Sequence, residues 1–180
     1  RSAGIIAVDL DEGDYLIGAA VTSGNSEVML FSDAGKAVRF DEADVRPMGR
    51  NARGVRGMEL GDTQQVIGML VSNEETSQVL TATANGYGKR TPTSEYRLQA
   101  RGGKGLINFK VTDKTGVVVG LKVVRPEQEL MLITTEGIVI RTNVDEISVI
   151  SRNTQGVMLM RTDSHDRVAS MATMDQKSES

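Results

Sequence analysis

Basic residues next to glycines recur along the chain at a fixed spacing, and the chemistry that they could perform is phosphate binding. Three arginines, and a glycine four residues before each of them, are repeated every 51 residues. They are Arg39, Arg90 and Arg141, with Gly35, Gly86 and Gly137. Glycine allows a phosphate to approach backbone N–H groups, and the guanidinium supplies the opposite charge. The pattern therefore predicts a surface that binds a polyanion.

A second, glycine-rich segment follows in each unit, at residues 53–58, 101–106 and 152–157. Several matched features at one constant period indicate repeated supersecondary units. In each unit a glycine turn lies between two apolar runs, which is typical of a β-hairpin. We find no amphipathic helix of ten or more residues. About four short strands in a period of ~50 residues predict an all-β, propeller-like fold.

The repeat also sets the expected domain organisation. We predict one domain over residues 1–174 and a polar tail over 175–180. It should contain about three complete four-stranded blades, with partial flanking strands near 4–10 and 168–172. The blades are placed at about 15–60, 65–111 and 116–162. Three blades leave exposed sheet edges, which pair readily with other strands. We therefore expect either a fragment of a longer protein or association of two copies.

The net charge of −3 hides an uneven distribution. Residues 36–56 carry a net charge of +3 and residues 86–105 carry +4, whereas residues 137–156 are neutral. The rest of the chain carries −10. Basic residues thus recur at equivalent positions of the repeat, which predicts a basic rim along which a nucleic acid could lie. No recognition helix is available, so contact should be with the DNA backbone rather than the bases.

The candidate DNA-binding residues are the basic residues of these three stretches. They are Lys36, Arg39, Arg46, Arg50, Arg53, Arg56, Lys89, Arg90, Arg97, Arg101, Lys104, Arg141 and Arg152. An alternative role for each is a charged side chain on a solvated turn.

The stretches 48–57, 85–91 and 147–157 resemble the C-terminal domain of the DNA gyrase A protein, and the similarity extends over essentially the whole chain. That family has a seven-residue box, Gln-basic-Arg-Gly-Gly-basic-Gly, in its first blade. Residues 99–105 match six of the seven positions, with Ala100 in place of a basic residue. The matching residues are Gln99, Arg101, Gly102, Gly103, Lys104 and Gly105. Because this segment lies in the second complete unit, we expect the chain to cover the later half of the domain.

The resemblance implies a β-pinwheel that wraps duplex DNA around its basic rim. It further implies a role in ATP-dependent negative supercoiling, together with the rest of the gyrase A protein and with the gyrase B protein, two copies of each. In the family the reactive tyrosine belongs to another domain, and ATP and Mg²⁺ are used elsewhere. We therefore expect no catalytic residue and no cofactor in this chain. The family is cytoplasmic and associated with the nucleoid, and we expect no membrane contact.

Other functions receive less support from the residues. The chain has no cysteine and one histidine, His165, which excludes thiol chemistry and Cys/His metal sites. The acidic clusters at 9–12 and 41–44 are expected to be solvated turns rather than metal sites. Two alternatives stay open: the C-terminal domain of the A-type protein of topoisomerase IV, and a propeller that binds other proteins. An enzyme with a site in a central channel has no supporting residues.

Overall fold

The computed structural model describes residues 3–72 and 77–175, and within them every regular element longer than three residues is a β-strand. Most of the predicted tail, residues 176–180, lies outside the described residues. The strands are β1 (Glu27–Ser32), β2 (Lys36–Asp41), β3 (Val66–Ser72), β4 (Gln78–Thr83), β5 (Tyr87–Pro92), β6 (Leu106–Ile107), β7 (Val118–Val124), β8 (Gln128–Thr134), β9 (Val139–Asn143), β10 (Val157–Met158) and β11 (Val168–Asp175). The second strand of each hairpin leads into a single 3-10 turn, at Glu42–Asp44, Thr93–Glu95 and Val144–Glu146.

Three antiparallel sheets are built around three hairpins. The first sheet has the order β3-β1-β2-β6, the second β7-β4-β5-β10 and the third β11-β8-β9. The glycine turns expected at Gly35, Gly86 and Gly137 connect the hairpin strands, and each of these glycines has a positive φ. The prediction of an all-β fold built from antiparallel blades is confirmed.

The blade bounds differ from those predicted, because every sheet contains strands from two sequence units. The β1–β2 hairpin pairs with β3 on one side and with β6 on the other, and both belong to the next unit. The second hairpin takes β7 and β10 from the third unit in the same way. The predicted segments 15–60, 65–111 and 116–162 therefore cut across the sheets. The exchange of strands links each blade to the next through backbone hydrogen bonds.

Three predicted strands before and within the first unit do not form. Residues 4–10, 17–21 and 57–60 have no strand, although the later equivalents of 17–21 and 57–60 are β3 and β7, and β6 and β10. Those equivalents pair with the hairpin of the preceding unit, and the described residues contain no hairpin before β1. Without that partner, the apolar side chains of residues 17–21 are exposed to solvent, and Val21 is 99% exposed.

The hydrophobic core lies within the sheets and between them. One cluster joins Met29 and Phe31 of the first sheet to Val79 of the second and to Tyr96 beyond it. The rings of Phe31 and Tyr96 meet edge to face, with centroids 6.1 Å apart. Tyr96 Oη donates a hydrogen bond to Asn108 Oδ1 at 2.5 Å, and burial raises the pKa of Tyr96. This satisfied hydroxyl allows a large aromatic ring to fill the space between blades.

Arg39 connects the first blade to the second. On its own hairpin it forms an ion pair with Glu27. Its Nη1 donates hydrogen bonds of 3.0 Å to the carbonyl oxygens of Thr93 and Tyr96, at the two ends of the next 3-10 turn. The side chain is only 12% exposed.

Arg90 repeats the same connection between the second blade and the third. Its Nε donates to the Ile147 carbonyl at 2.7 Å, and its Nη2 donates to the Asp145 carbonyl at 3.1 Å. Gln78 occupies the position of Glu27 and accepts from Nη1 at 3.1 Å. Burial lowers the pKa of Arg90, and the charge of Asp145 opposes that effect.

These contacts correct the expected role of two candidate DNA-binding residues. Arg39 and Arg90 direct their guanidinium groups at backbone carbonyls inside the protein, so neither is presented to a phosphate at the surface. Arg141 is their third equivalent. It forms an ion pair with Glu129 but is 62% exposed, and no carbonyl of the described residues accepts from it.

Substitution of Arg90 by glutamine should lower the free energy of unfolding by roughly 3 kcal/mol. The change removes a buried charged donor and leaves the Ile147 and Asp145 carbonyls unpaired. The matched variant Arg141→Gln should change it by less than about 1 kcal/mol, because an exposed ion pair contributes little. Chemical denaturation of both variants measures the difference. Equal losses would contradict the account of Arg90 as an inter-blade residue.

Candidate nucleic-acid interface

Three equivalent loops follow the 3-10 turns, and we name them loop 1 (residues 46–54), loop 2 (97–105) and loop 3 (148–156). Each turn is closed by one backbone hydrogen bond, from the N–H of Val45, Tyr96 or Ile147. The chain leaves each turn at the same place in its blade. The loops therefore present side chains of the same repeat position in the same way.

The loops contact the preceding units through a repeated backbone hydrogen bond. The N–H groups of Asp9, Glu59 and Lys110 donate to carbonyl oxygens that are 51 residues apart. The acceptors are Ala52, Gly103 and Thr154, at 3.2, 2.9 and 2.9 Å. Loop 2 thus lies against the segment that follows loop 1, and loop 3 lies against the segment that follows loop 2. Their exposed side chains share one continuous surface.

The box-like motif of loop 2 largely packs against the backbone of the preceding unit. The N–H of Gln99 donates to the Arg39 carbonyl at 2.8 Å, and the N–H of Gly102 donates to the Gly57 carbonyl at 2.7 Å. Gly105 has a φ of +74° and lies so close to the backbone that a Cβ atom would overlap the Ala37 carbonyl oxygen. These glycines allow close approach of protein backbone, where the sequence predicted close approach of a phosphate.

Arg101, the box arginine, is also engaged with the protein. Its Nη1 donates to the Arg56 carbonyl at 2.5 Å and its Nε donates to the Asp44 carbonyl at 3.2 Å. Arg152, its equivalent in loop 3, donates from Nη1 to the Ile107 carbonyl at 2.8 Å. Both arginines hold their loop to the preceding unit, and DNA contact by the rest of each guanidinium stays a prediction.

Lys89 lies entirely inside the protein, beneath loop 3. Its Nζ donates hydrogen bonds to the carbonyls of Ser151 and Arg152 and, at 3.0 Å, to Thr154 Oγ1. It also lies 5.0 Å from the centroid of the Phe109 ring. Burial lowers the pKa of Lys89 to about 8, with Glu95 raising it and Arg152 lowering it. At 0% exposure, Lys89 is another predicted contact that the structure removes from the surface.

Four cations of loops 1 and 2, and one just after loop 1, are exposed, and no ion pair or hydrogen bond engages their side chains within the described residues. They are Arg46, Arg50, Arg56, Arg97 and Lys104. Arg53 is exposed too, but it pairs with Asp9 and Asp11 at 3.6 and 3.2 Å. Unpaired cations next to glycine backbone suit the phosphates of a nucleic acid.

Two further lysines lie outside this set. Lys36, a predicted contact, is half-buried in β2 opposite Ile107, at the hairpin end away from the 3-10 turn. Lys110 was missed by the sequence reasoning although it is exposed, and its backbone contacts loop 3. The signal that could have found it is Arg161, the cation at the same repeat position of the next unit, although the unit before has Glu59 there.

Other kinds of site find little support among residues 3–72 and 77–175. No group of three His, Cys, Asp or Glu side chains comes together there as a metal site would require. Asp41 accepts a hydrogen bond from the Ala43 N–H at 2.8 Å and caps the first 3-10 turn. In the same residues no helix is long and apolar enough to cross a membrane.

The fold and the repeated loops define a propeller-like domain of the β-pinwheel class. The family model described as "DNA gyrase C-terminal domain, beta-propeller" matches residues 1–23, 26–73, 77–125 and 128–173. The chain therefore belongs to the DNA gyrase C-terminal domain family, and the resemblance inferred from the sequence is confirmed.

Comparison with individual proteins agrees with that assignment. The chain is 48% identical over 178 residues, 99% of its length, to the DNA gyrase A protein of Pseudomonas aeruginosa. It is also 48% identical over 95% of its length to the Escherichia coli protein. It spans 19% of the length of each relative.

Two solved structures have the same fold. The gyrase A C-terminal domain superposes with a TM-score of 0.86 at 28% identity, over 96% of this chain and 58% of the other. The C-terminal domain of topoisomerase IV gives 0.88 at 22% identity, over 94% and 53%. The second likeness is one of fold alone.

Substitution of Gly105 by alanine should lower the free energy of unfolding by roughly 3 kcal/mol. The positive φ alone costs about 1–2 kcal/mol for alanine, and contact with the Ala37 oxygen forces the backbone to move. Gly54 is the matched control, with a φ of +89° and no atom within 4 Å of the place where a Cβ atom would lie. Gly54→Ala should therefore cost only about 1–2 kcal/mol. Thermal and chemical denaturation compare the two variants. A Gly105 variant no less stable than the Gly54 variant would contradict the close contact between Gly105 and the Ala37 backbone.

Proposed function

We propose that this chain binds duplex DNA through the sugar–phosphate backbone, without reading sequence. The observation that carries the proposal is the set of five exposed, unpaired cations on and beside two adjoining loops, Arg46, Arg50, Arg56, Arg97 and Lys104. The relatives named as gyrase A proteins support a DNA-related role. No helix of the described residues is available to enter the major groove, which favours backbone contact.

The proposal extends to the whole protein. Its DNA-bound loops bend or wrap the duplex and thereby support ATP-dependent negative supercoiling, together with the rest of the gyrase A protein and with the gyrase B protein. In this proposal the chain holds no cofactor and no reacting residue, ATP and Mg²⁺ act elsewhere, and the enzyme works in the bacterial cytoplasm. Near-50% identity to gyrase A proteins favours gyrase over topoisomerase IV.

The buried and engaged cations explain why a modest net charge is compatible with this function. Arg39, Lys89 and Arg90 donate hydrogen bonds to carbonyl oxygens inside the protein. The exposed cations of loops 1 and 2, and Arg56 beside them, lie on and next to adjoining loops, and among them only Arg53 pairs with acidic residues in the described part of the chain. A polyanion is attracted by a local positive potential, and the net charge of the whole protein need not be positive.

Binding to a long duplex of scrambled sequence should weaken steeply with salt. Five phosphate contacts predict a slope of log K against log salt of about −4 to −5. The triple variant Arg50→Gln, Arg97→Gln and Lys104→Gln should reduce the magnitude of the slope by about 2–3. Fluorescence anisotropy at several salt concentrations measures both proteins.

The matched control removes the same charge elsewhere, in Lys114→Gln, Arg125→Gln and Arg167→Gln. These three cations are exposed and lie outside the three loops. The control should keep the wild-type slope to within about 1. A wild-type slope near zero, or equal losses in the two triple variants, would refute the proposed surface and favour a domain that binds other proteins.

A further inference from the structure

We propose that the DNA-binding track has an end built into this chain: phosphates are held at loops 1 and 2, and the duplex leaves the protein at loop 3. The inference rests on the proposed function and specifies which part of the surface performs it. Loops 2 and 3 follow equivalent 3-10 turns and make equivalent backbone contacts with the unit before them. The N–H groups of Gln99 and Ile150 donate to the carbonyls of Arg39 and Arg90, at 2.8 and 2.9 Å. Differences in charge between equivalent positions can therefore be compared directly.

Most of the exposed cations present in the first unit are lost by the third. Arg46 corresponds to Arg97 and then to Ser148. Arg53 corresponds to Lys104 and then to Gln155. Arg56, just after loop 1, corresponds to Ile107 and then to Met158. At these three positions the number of cations falls from three to two to none.

Loop 3 retains Arg152, but the protein holds that guanidinium. Its Nη1 donates to the Ile107 carbonyl at 2.8 Å, and its Nε is buried without a hydrogen-bond partner. Beneath the same loop, Lys89 occupies the position of Val38 and Ile140 and donates to four loop oxygens. The charge beneath loop 3 and the charge within it thus both donate to protein backbone, Lys89 to the loop itself and Arg152 to the unit before it.

Loop 3 also follows a more acidic turn than loop 2 does. The 3-10 turn before loop 3 contains Asp145 and Glu146, whereas the turn before loop 2 contains Glu95 alone. The turn before loop 1 likewise has two acidic residues, but that loop retains its exposed cations. Lys110 is the exposed cation that lies against loop 3, through its backbone contact with Thr154. One lysine is a weak phosphate site compared with the five unpaired cations on and beside loops 1 and 2. The electrostatic attraction for a duplex therefore ends between loop 2 and loop 3.

The absence of cysteine from the chain makes a direct test possible. Ala100 of loop 2 and Ser151 of loop 3 are equivalent, exposed, and without side-chain hydrogen bonds in the described residues. Single-cysteine variants Ala100→Cys and Ser151→Cys carry an iron chelate that generates hydroxyl radicals beside the thiol. A third variant, Ser164→Cys, places the chelate on an exposed turn outside the loops and measures background. Cleavage of a bound long duplex reports which loop lies next to DNA.

We expect strong cleavage from Ala100→Cys and only background cleavage from Ser151→Cys. Adding Ser148→Arg and Gln155→Lys to the Ser151→Cys protein recreates the cations of the earlier loops. Cleavage from loop 3 should then appear, and the salt slope should increase in magnitude by about 2, since each phosphate contact contributes about 0.9. The same two substitutions in the Ser164→Cys protein should leave its cleavage at background.

Two adverse results have different meanings. Equal cleavage from Ala100→Cys and Ser151→Cys would overturn the inferred end of the track while leaving DNA binding intact. Loop-3 cleavage that stays at background after both cations are added would also overturn it, because missing charge would then not be the cause. If the unlabelled wild-type protein bound no duplex, the proposed function itself would fail, and the inference with it.

Discussion

The fold depends on a guanidinium group that reaches from each of the first two hairpins to the 3-10 turn of the next blade. Of the four carbonyl oxygens that Arg39 and Arg90 contact, that of Thr93 also accepts the hydrogen bond that closes its turn. The carbonyls of Tyr96, Asp145 and Ile147 have no such partner among the described residues, and the arginines supply one, with donor–acceptor distances of 2.7 to 3.1 Å over the four contacts. Each arginine is in turn held by the residue twelve positions before it, Glu27 or Gln78. A buried charge that lost either set of acceptors would be strongly destabilising, so the contact fixes how adjacent blades meet.

The positions of the blades determine the positions of the three loops. Each turn leads directly into a loop, so the spacing between turns sets the spacing between loops. The strand exchange that gives β6 and β10 to the preceding sheets joins the loops to the same framework. Arg101 and Arg152 then attach each loop to the segment before it. Cations that need no protein partner, such as Arg97 and Lys104, are left on a rigid, glycine-containing edge.

The sequence was sufficient to predict the repeat, the hairpins, the all-β class and the family. It was not sufficient for the blade bounds, because β3 and β6 pair with a hairpin of the preceding unit and local patterns carry no signal for that pairing. Charge and spacing also could not separate Arg90, inside the protein, from Arg97, on its surface. One signal was available for Lys89: its equivalents are Val38 and Ile140, and an apolar pair at a repeat position indicates an inward-facing site. The partners of Arg39 and Arg90 twelve residues earlier, Glu27 and Gln78, gave no such signal, because the exposed Arg141 has the same kind of partner in Glu129.

The division of the cations into inter-blade and DNA-facing groups is tested most directly by nuclear magnetic resonance of the arginine Nε–H groups during titration with duplex DNA. The account predicts that the Nε–H signals of Arg39 and Arg90 exchange slowly with water and keep their chemical shifts throughout. Those of Arg46, Arg50 and Arg97 should exchange rapidly in the free protein and shift saturably as DNA binds. Saturable shifts at Arg39 and Arg90, with unchanged signals from the loop arginines, would contradict the account.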